Sequence, residues 1–179
     1  LCQIVNTVTC VFTLGCASAM IVSSAPQAMA VGLRPEIIIE LEKQNLGRVI
    51  VDPHTGLAAG GFDPVAYFLN KVPVQGNPRV EATFTTATYR FVSSANRDVF
   101  LRSPLIYQPR FGGRGAMQMA RGLAVEGNPK VWAIFKNRLF FFHSVALRNE
   151  WLTAPDGFAA QAEIEWKKQN SIRKSFSDT

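Results

Sequence analysis

The chain has 179 residues and a formal net charge of +6, and 47% of its residues are hydrophobic while 18% are charged. This balance is typical of a globular protein with a buried core and excludes an intrinsically disordered chain. The excess of basic residues indicates either a solvated basic surface or a surface that contacts anionic lipids, glycans or acidic proteins.

The first thirty residues differ from the rest because they contain no charged side chain. Residues 4–22 are mainly apolar, and residues 28–30 read Ala-Met-Ala, a small-residue pattern that signal peptidase recognises. We therefore predict a signal peptide over residues 1–30, a mature protein that begins near Val31, and a periplasmic or secreted location. Two alternatives are a membrane anchor formed by residues 4–22 and a lipoprotein attached at Cys16.

All three cysteines, Cys2, Cys10 and Cys16, lie in this leader. The domain that follows would therefore have neither a disulfide bond nor a thiolate metal site, and its stability would depend on its core. In an exported protein, the basic charge favours contact with the membrane surface or an envelope protein over a nucleic-acid site.

The segment that follows the leader is predicted to be an N-terminal helical arm over residues 31–54. Apolar side chains at Ile37, Ile38 and Leu41 lie among charged ones after Pro35, as on an amphipathic helix. We expect this arm to pack against the domain.

A second helix start is marked by Asp63 and Pro64, which follow a glycine-rich loop over residues 56–61. An aspartate before a helix accepts hydrogen bonds from the free N–H groups of the first turn, and proline suits the first helical position. The pair predicts a short helix that passes through Tyr67 and Phe68.

An internal repeat organises the rest of the chain. Residues 74–107 align with residues 125–158 at a constant offset of 51, with 13 identities in 34 positions. The identities include a Gly-Asn-Pro triplet, and aromatic positions are kept even where the residue differs, as in Phe100 and Trp151. Because the two copies share mainly a burial pattern, the repeat predicts a duplicated fold rather than a shared set of reactive side chains.

Each copy carries the same order of signals. An alternating apolar strand follows the Gly-Asn-Pro triplet, then a tight polar turn, a second strand, a serine placed to cap a helix, and a proline that ends it. The serine and proline are Ser93 and Pro104 in one copy and Ser144 and Pro155 in the other. The predicted fold class is α+β, with two duplicated β-hairpin-plus-helix units that form one antiparallel-sheet domain with packed helices. The two apolar sheet faces either pack on each other or join in one continuous sheet.

The predicted core domain covers residues 55–168, ends in a helix over residues 155–169, and is followed by a polar tail over residues 169–179. Residues 108–124 lie between the two copies and contain three glycines, at positions 112, 113 and 115. Such glycines indicate positive φ angles or close backbone approach. We expect an open inter-repeat loop here, and we place the candidate site beside it.

Four stretches together resemble exported bacterial YHS-domain proteins over roughly residues 55–168. They are residues 61–68 (Gly-Phe-Asp-Pro-Val-Ala-Tyr-Phe), residues 89–93 (Tyr-Arg-Phe-Val-Ser), residues 96–100 (Asn-Arg-Asp-Val-Phe) and the glycine pair at 112–113. The resemblance implies a small exported α+β domain, related to modules of metal-transport and metal-handling proteins. Copper or another transition metal is the cofactor that the resemblance implies.

The sequence departs from this family at two places. Relatives often carry a cysteine just after the double glycine, where this chain has Gly115, so a thiolate-centred site does not carry over. The Tyr-His-Ser motif that names the family corresponds to Phe142, His143 and Ser144 in the second copy, whereas the first copy has Val92 in place of the histidine.

These comparisons within the sequence give four candidate site residues. His143 is the candidate metal ligand, because imidazole binds transition metals and only one copy carries it, although a hydrogen-bonded structural histidine is the alternative. Met117 and Met119 could supply thioether ligands for Cu(I) or fill the core. Arg114, beside the glycines, could bind an anion together with exposed N–H groups, or simply be solvated.

The sequence predicts a protein that is not an enzyme. It contains no Ser/His/Asp or nucleophile-elbow signature, no paired carboxylates at a suggestive spacing, and no phosphate-binding glycine pattern. We therefore expect an exported binding or accessory module that holds a metal ion or a small anionic ligand at the glycine-rich loop. One alternative is an interaction module that docks to a protein or to the envelope and has no ligand site. A further alternative, less favoured, is a cofactor-dependent enzyme that uses His143 as a base.

Overall fold

The computed structural model describes residues 47–177, with side chains as far as residue 172. The predicted signal peptide (residues 1–30) and most of the predicted arm lie outside the described residues. The described end of the arm is extended and then turns, and the N–H of Ile50 donates to the carbonyl of Gly112 at 2.7 Å. Within residues 47–177, no helix is both long enough and apolar enough to cross a membrane.

The described residues form helices and two antiparallel hairpins, which confirms the predicted α+β class. The first half contains a 3-10 helix (Ala59–Gly61), α1 (Ala66–Leu69), β1 (Asn77–Phe84), β2 (Ala87–Phe91), α2 (Ser94–Arg102) and α3 (Pro104–Tyr107). The second half contains a 3-10 helix (Arg110–Gly113), α4 (Ala116–Ala120), β3 (Asn128–Phe135), β4 (Arg138–Phe142), α5 (Val145–Leu152) and α6 (Pro155–Ser177).

The two hairpins have the same register and the same irregularity. β1 pairs only with β2 and β3 only with β4, and each pairing shifts after its first residue, at Asn77 and at Asn128. The expectation of one continuous antiparallel sheet is therefore wrong. Each two-stranded sheet instead packs its apolar face on the helix of its own repeat.

The predicted helix caps are confirmed. The hydroxyl of Ser93 accepts from the N–H of Asn96 at 3.2 Å, and that of Ser144 accepts from the N–H of Leu147 at 3.4 Å. The last helix extends past its predicted end and includes residues 169–177 of the predicted tail. Polar side chains tie this end to the domain, because Gln169 donates to the carbonyl of Gly122 at 3.0 Å.

Each half has its own aromatic core. In the first half the ring of Phe100 lies 5.9, 4.8 and 5.2 Å, between centroids, from three strand side chains, Phe84, Tyr89 and Phe91. In the second half Trp151 lies 5.3, 5.2 and 5.4 Å from their counterparts, Phe135, Phe140 and Phe142. The repeat in sequence is thus a repeat of one four-ring cluster.

The halves meet through a helix and not through their sheet faces, so the predicted face-to-face packing of the two sheets is also wrong. Tyr67 of α1 packs on the outer face of the second hairpin, 5.2 Å from Trp132 and 5.6 Å from Phe141. Its hydroxyl donates to the carbonyl of Pro129 at 2.8 Å. The outer face of the first hairpin carries polar side chains, such as Thr83, and therefore presents no apolar surface on which the second hairpin could pack.

The glycine-rich segment is the start of the second copy and not an open linker. The φ angles of residues 59–61 are 54°, 59° and 77°, and those of residues 111–113 are 55°, 61° and 84°. The carbonyls of Gly61 and Gly113 accept from the N–H groups of the two repeat glycines, Gly76 and Gly127, at 3.0 Å each. The structural repeat therefore begins before residue 74, and the segment is largely buried.

Gly76 explains why a glycine stands at the start of each hairpin. A Cβ at this position would lie 2.5 Å from the Cβ of Arg90 and 2.8 Å from the backbone nitrogen of Phe91. We expect Gly76→Ala to lower the free energy of unfolding by about 2 kcal/mol, because the strand must move to make room. Urea unfolding followed by circular dichroism measures this loss.

The matched control is Gly157→Ala, because a Cβ at Gly157 meets no atom within 4 Å. Gly157 lies near the start of α6, where alanine favours the helix by up to about 1 kcal/mol. Equal stability of the Gly76→Ala variant and the wild-type protein would show that the close approach of the two strands is not required.

Candidate functional site

Met117 and Met119 lie in the core of the second half. Their side chains are 2% and 0% exposed, and they pack in the same cluster as Trp151 and Trp166. The five-residue helix α4 carries them and turns both inward against α6. Both thioethers fill space in this cluster and are withdrawn from any surface site.

Arg114 holds the extended N-terminal segment onto the domain. Its guanidinium donates to the carbonyl of Arg48 at 2.7 Å and to that of Phe111 at 3.2 Å. The same group lies 5.2 Å from the centroid of the Trp166 ring, where a cation is attracted to the aromatic face. These contacts give Arg114 a structural role at the glycine-rich segment.

His143 lies exposed at the end of β4. Its Nδ1 atom is 3.3 Å from the carbonyl oxygen of Glu126. Within residues 47–172, no group of three or more His, Cys, Asp or Glu side chains is arranged to hold a metal ion. The four predicted site residues are therefore not brought together, because the methionines lie in the core, Arg114 faces Arg48, and His143 lies at the surface.

Gly115 is the structural counterpart of Asp63. The N–H groups of Asp63 and Gly115 both donate across the start of the hairpin, to the carbonyls of Val74 and Val125, at 2.9 Å each. A Cβ on Gly115 would collide with the side-chain amide of Gln118. The space directly beside Gly115 is thus occupied by the Gln118 side chain.

Asp63 is a buried carboxylate that the sequence marked only as a helix start. It is 0% exposed, and it accepts from the N–H of Val65 at 2.8 Å, the N–H of Val92 at 2.8 Å and the side chain of Asn96 at 2.7 Å. These bonds join the start of α1, the end of β2 and the first turn of α2. The carboxylate is a structural anchor of the first half.

A cavity of about 490 Å³ opens beside the glycine-rich segment, on the second half. It lies between the 3-10 helix Arg110–Gly113, the turn of the second hairpin and α6. The lining residues are Arg110, Phe111, Phe135, Lys136, Arg138, Phe140, Ala159, Glu163 and Lys167. We call this space the cationic cavity, because it contains four basic side chains and one carboxylate.

Two of the four cations are already neutralised. Arg110 is ion-paired with Glu163, and Lys136 is ion-paired with Asp156. Lys167 has no ion-pair partner among the described residues. The cavity therefore retains positive charge that no ion pair among residues 47–172 balances.

Arg138 is a half-buried cation of the cavity. It donates to the carbonyl of Leu105 at 2.6 Å. Burial lowers the pKa of Arg138, the positive charge of Arg110 lowers it further, and the charge of Glu163 opposes both effects. A guanidinium stays charged at neutral pH, so the lowered pKa reports a positive group that lacks full solvation.

Aromatic rings form the least exposed part of the wall. Phe111 and Phe140 are 3% and 5% exposed, and their ring centroids are 5.9 Å apart. Phe111 also lies 6.0 Å from Trp166, and Phe140 packs on Trp151. This wall is continuous with the core and is held in place by it.

The positive charge belongs to one copy only. At the offset of 51, Lys136 and Arg138 correspond to Thr85 and Ala87 of the first copy, while the aromatic positions are kept. These pairs carry no motif of their own in the sequence, whereas the three glycines mark the neighbouring segment. The signal that could have found the cavity was a neutral residue in one copy opposite a cation in the other.

No protein-family model, no curated protein and no solved structure matches the chain.

Proposed function

We propose that this chain is an exported binding module, resembling YHS domains, that holds a small organic anion in the cationic cavity of its second half. One observation carries the proposal. Four cations face a single lining carboxylate over an aromatic wall, and the two cations on the second hairpin, Lys136 and Arg138, are neutral residues in the first copy. The leader over residues 1–30 supports export.

The chemistry of the cavity suits an anion. A guanidinium matches the planar geometry of a carboxylate, and its hydrogen bonds to an ionised acceptor are stronger than bonds between neutral groups. Arg138 is half buried, so its attraction for an anion is less weakened by water than that of a fully exposed arginine. A volume of about 490 Å³ lies within the range of small-molecule sites.

A metal ion at the glycine-rich segment has weaker support. The thioethers of Met117 and Met119 are buried, and the space beside Gly115 is occupied by Gln118. His143 lies at the surface with a backbone carbonyl as its neighbour. The anion site therefore takes precedence over the metal that the family resemblance implies.

Titration of the protein with sodium benzoate, sodium acetate and sodium phosphate tests this function. Tryptophan fluorescence reports binding, because Trp151 and Trp166 lie against rings of the cavity wall. We expect Arg138→Gln to weaken anion binding about ten- to a hundredfold, the value of a hydrogen bond to a charged group.

The matched control is Arg79→Gln, which removes the same charge from an exposed position on β1 of the first copy. We expect its anion affinity to equal that of the wild-type protein. The function is wrong if the wild-type protein binds none of the three anions, or if Arg138→Gln binds them as tightly as the wild type does.

A further inference from the structure

The lining of the cationic cavity is divided into an apolar and a charged part. Phe111 and Phe140 are buried, whereas the ammonium-bearing side chains of Lys136 and Lys167 are exposed. The rings thus lie deeper than the ammonium groups. A ligand in the cavity therefore meets both aromatic rings and positive charge in its lining.

The two lining cations that form no ion pair within the described part of the chain lie on two different elements. Arg138 stands on β4 and donates to the backbone carbonyl of Leu105, and Lys167 stands on α6. The other two cations are held over rings of the wall, with Arg110 5.6 Å from the centroid of Phe111 and Lys136 5.4 Å from that of Phe135. Arg138 and Lys167 line the same cavity, so an anionic group of a ligand held there can pair with them without displacing an existing ion pair.

An anionic group alone, or an aromatic group alone, would match only one part of the cavity lining. An inorganic anion would pair with the cations but would leave the exposed part of the Phe135 ring in contact with water. A neutral aromatic molecule would cover the wall but would leave two cations without a partner. A molecule with one carboxylate and a flat apolar body satisfies both parts, since aromatic rings stack with a large gain of buried area.

Resting on the proposed anion-binding function, we infer that the ligand is an aryl carboxylate or a similar amphipathic organic carboxylate. Its carboxylate binds between Arg138 and Lys167, and its flat body packs on the rings of Phe135 and Phe140. Phe135 is the more exposed ring of this wall, because it is only partly buried, and it stands on the hairpin beside Lys136.

The test compares four probes on the same protein: sodium 2-naphthoate, its neutral amide, sodium acetate and sodium phosphate. Calorimetric titration measures each dissociation constant. We expect 2-naphthoate to bind at least about tenfold more tightly than each of the other three, because only it uses both parts of the cavity.

Lys167→Gln and Lys168→Gln form the matched pair of variants. Lys167 lines the cavity, while Lys168, the next residue of α6, pairs with Glu165 outside it. Both side chains are exposed, so neither change threatens the fold. We expect Lys167→Gln to weaken 2-naphthoate binding about fivefold or more and Lys168→Gln to leave it unchanged.

The outcomes separate the inference from the proposed function. Phosphate or acetate that binds as tightly as 2-naphthoate, and remains sensitive to Arg138→Gln, would overturn the ligand class while anion binding stands. Equal binding of the neutral amide, or 2-naphthoate binding that is unchanged in Lys167→Gln, would overturn the bridging carboxylate. Absence of binding by all four probes would overturn both.

Discussion

Replacing Asp63 by alanine is expected to lower the free energy of unfolding by about 4 kcal/mol. The side chain is 0% exposed, and its two oxygens accept from the backbone of Val65 and Val92 and from the amide of Asn96, at 2.7–2.8 Å. Without the carboxylate, these donors remain buried with no acceptor, and each costs its own desolvation. Three elements of the first half lose their common anchor at once.

Urea unfolding of the variant measures this loss, and Asp98→Ala is the matched control. Asp98 is exposed on α2 and pairs with its neighbour Arg97, so its removal should change stability by less than about 0.5 kcal/mol. Asp63→Asn should fall between the two, because the amide keeps one acceptor oxygen but turns a donor toward the bonded N–H groups. Equal losses for Asp63→Ala and Asp98→Ala would contradict the anchoring role.

Replacing Trp151 by alanine is expected to cost about 4 kcal/mol as well, because it opens a cavity in the core of the second half. The indole is 0% exposed and packs on three strand rings. Two of these, Phe135 and Phe140, line the cationic cavity. The variant should therefore also bind 2-naphthoate more weakly than the wild-type protein.

The variant Trp151→Phe tests whether a smaller aromatic ring at this position keeps most of the packing. Phe100 occupies the same place in the first half, and the indole Nε1 has no hydrogen-bond partner among the described residues, so phenylalanine should cost only about 1–2 kcal/mol. Ile164→Ala, at an exposed position of α6, serves as the neutral control. If Trp151→Phe costs as much as Trp151→Ala under thermal unfolding, the shared four-ring cluster does not explain this position.

The sequence predicted those parts of the fold whose signals are local. Ser93 caps α2 by accepting from the N–H group three residues further on, and the strands of each hairpin are joined by a short polar turn. Asp63 was expected to accept from the first turn of α1, and it does so. Each signal acts within a few residues. The alternation of apolar and polar residues, the turn residues and the cap residues were therefore sufficient to predict the hairpins and the helix starts.

The glycine-rich segment could not be predicted in the same way. An open loop and a tight buried turn both require positive φ angles, so glycines alone do not distinguish them. The difference lies in long-range bonds, such as that between the N–H of Gly127 and the carbonyl of Gly113. Likewise, nothing in the neighbourhood of Tyr67 in the sequence indicates that it packs on Trp132 of the second hairpin.

The candidate site shows the same limit. Arg114, Met117 and Met119 were grouped because they are close in sequence, but α4 turns both methionines into the core. The cationic cavity is assembled from residues far apart in the chain, among them Arg138 and Lys167. Their proximity depends on how α6 returns over the second hairpin, and only the structure provides that.

A crystal structure of the protein grown with sodium 2-naphthoate tests the cationic cavity most directly. We predict electron density for the ligand inside the cavity, with its carboxylate within hydrogen-bond distance of Arg138 and Lys167 and its rings on Phe140. An empty cavity, or a ligand bound elsewhere with both cations untouched, would contradict the assignment of this site.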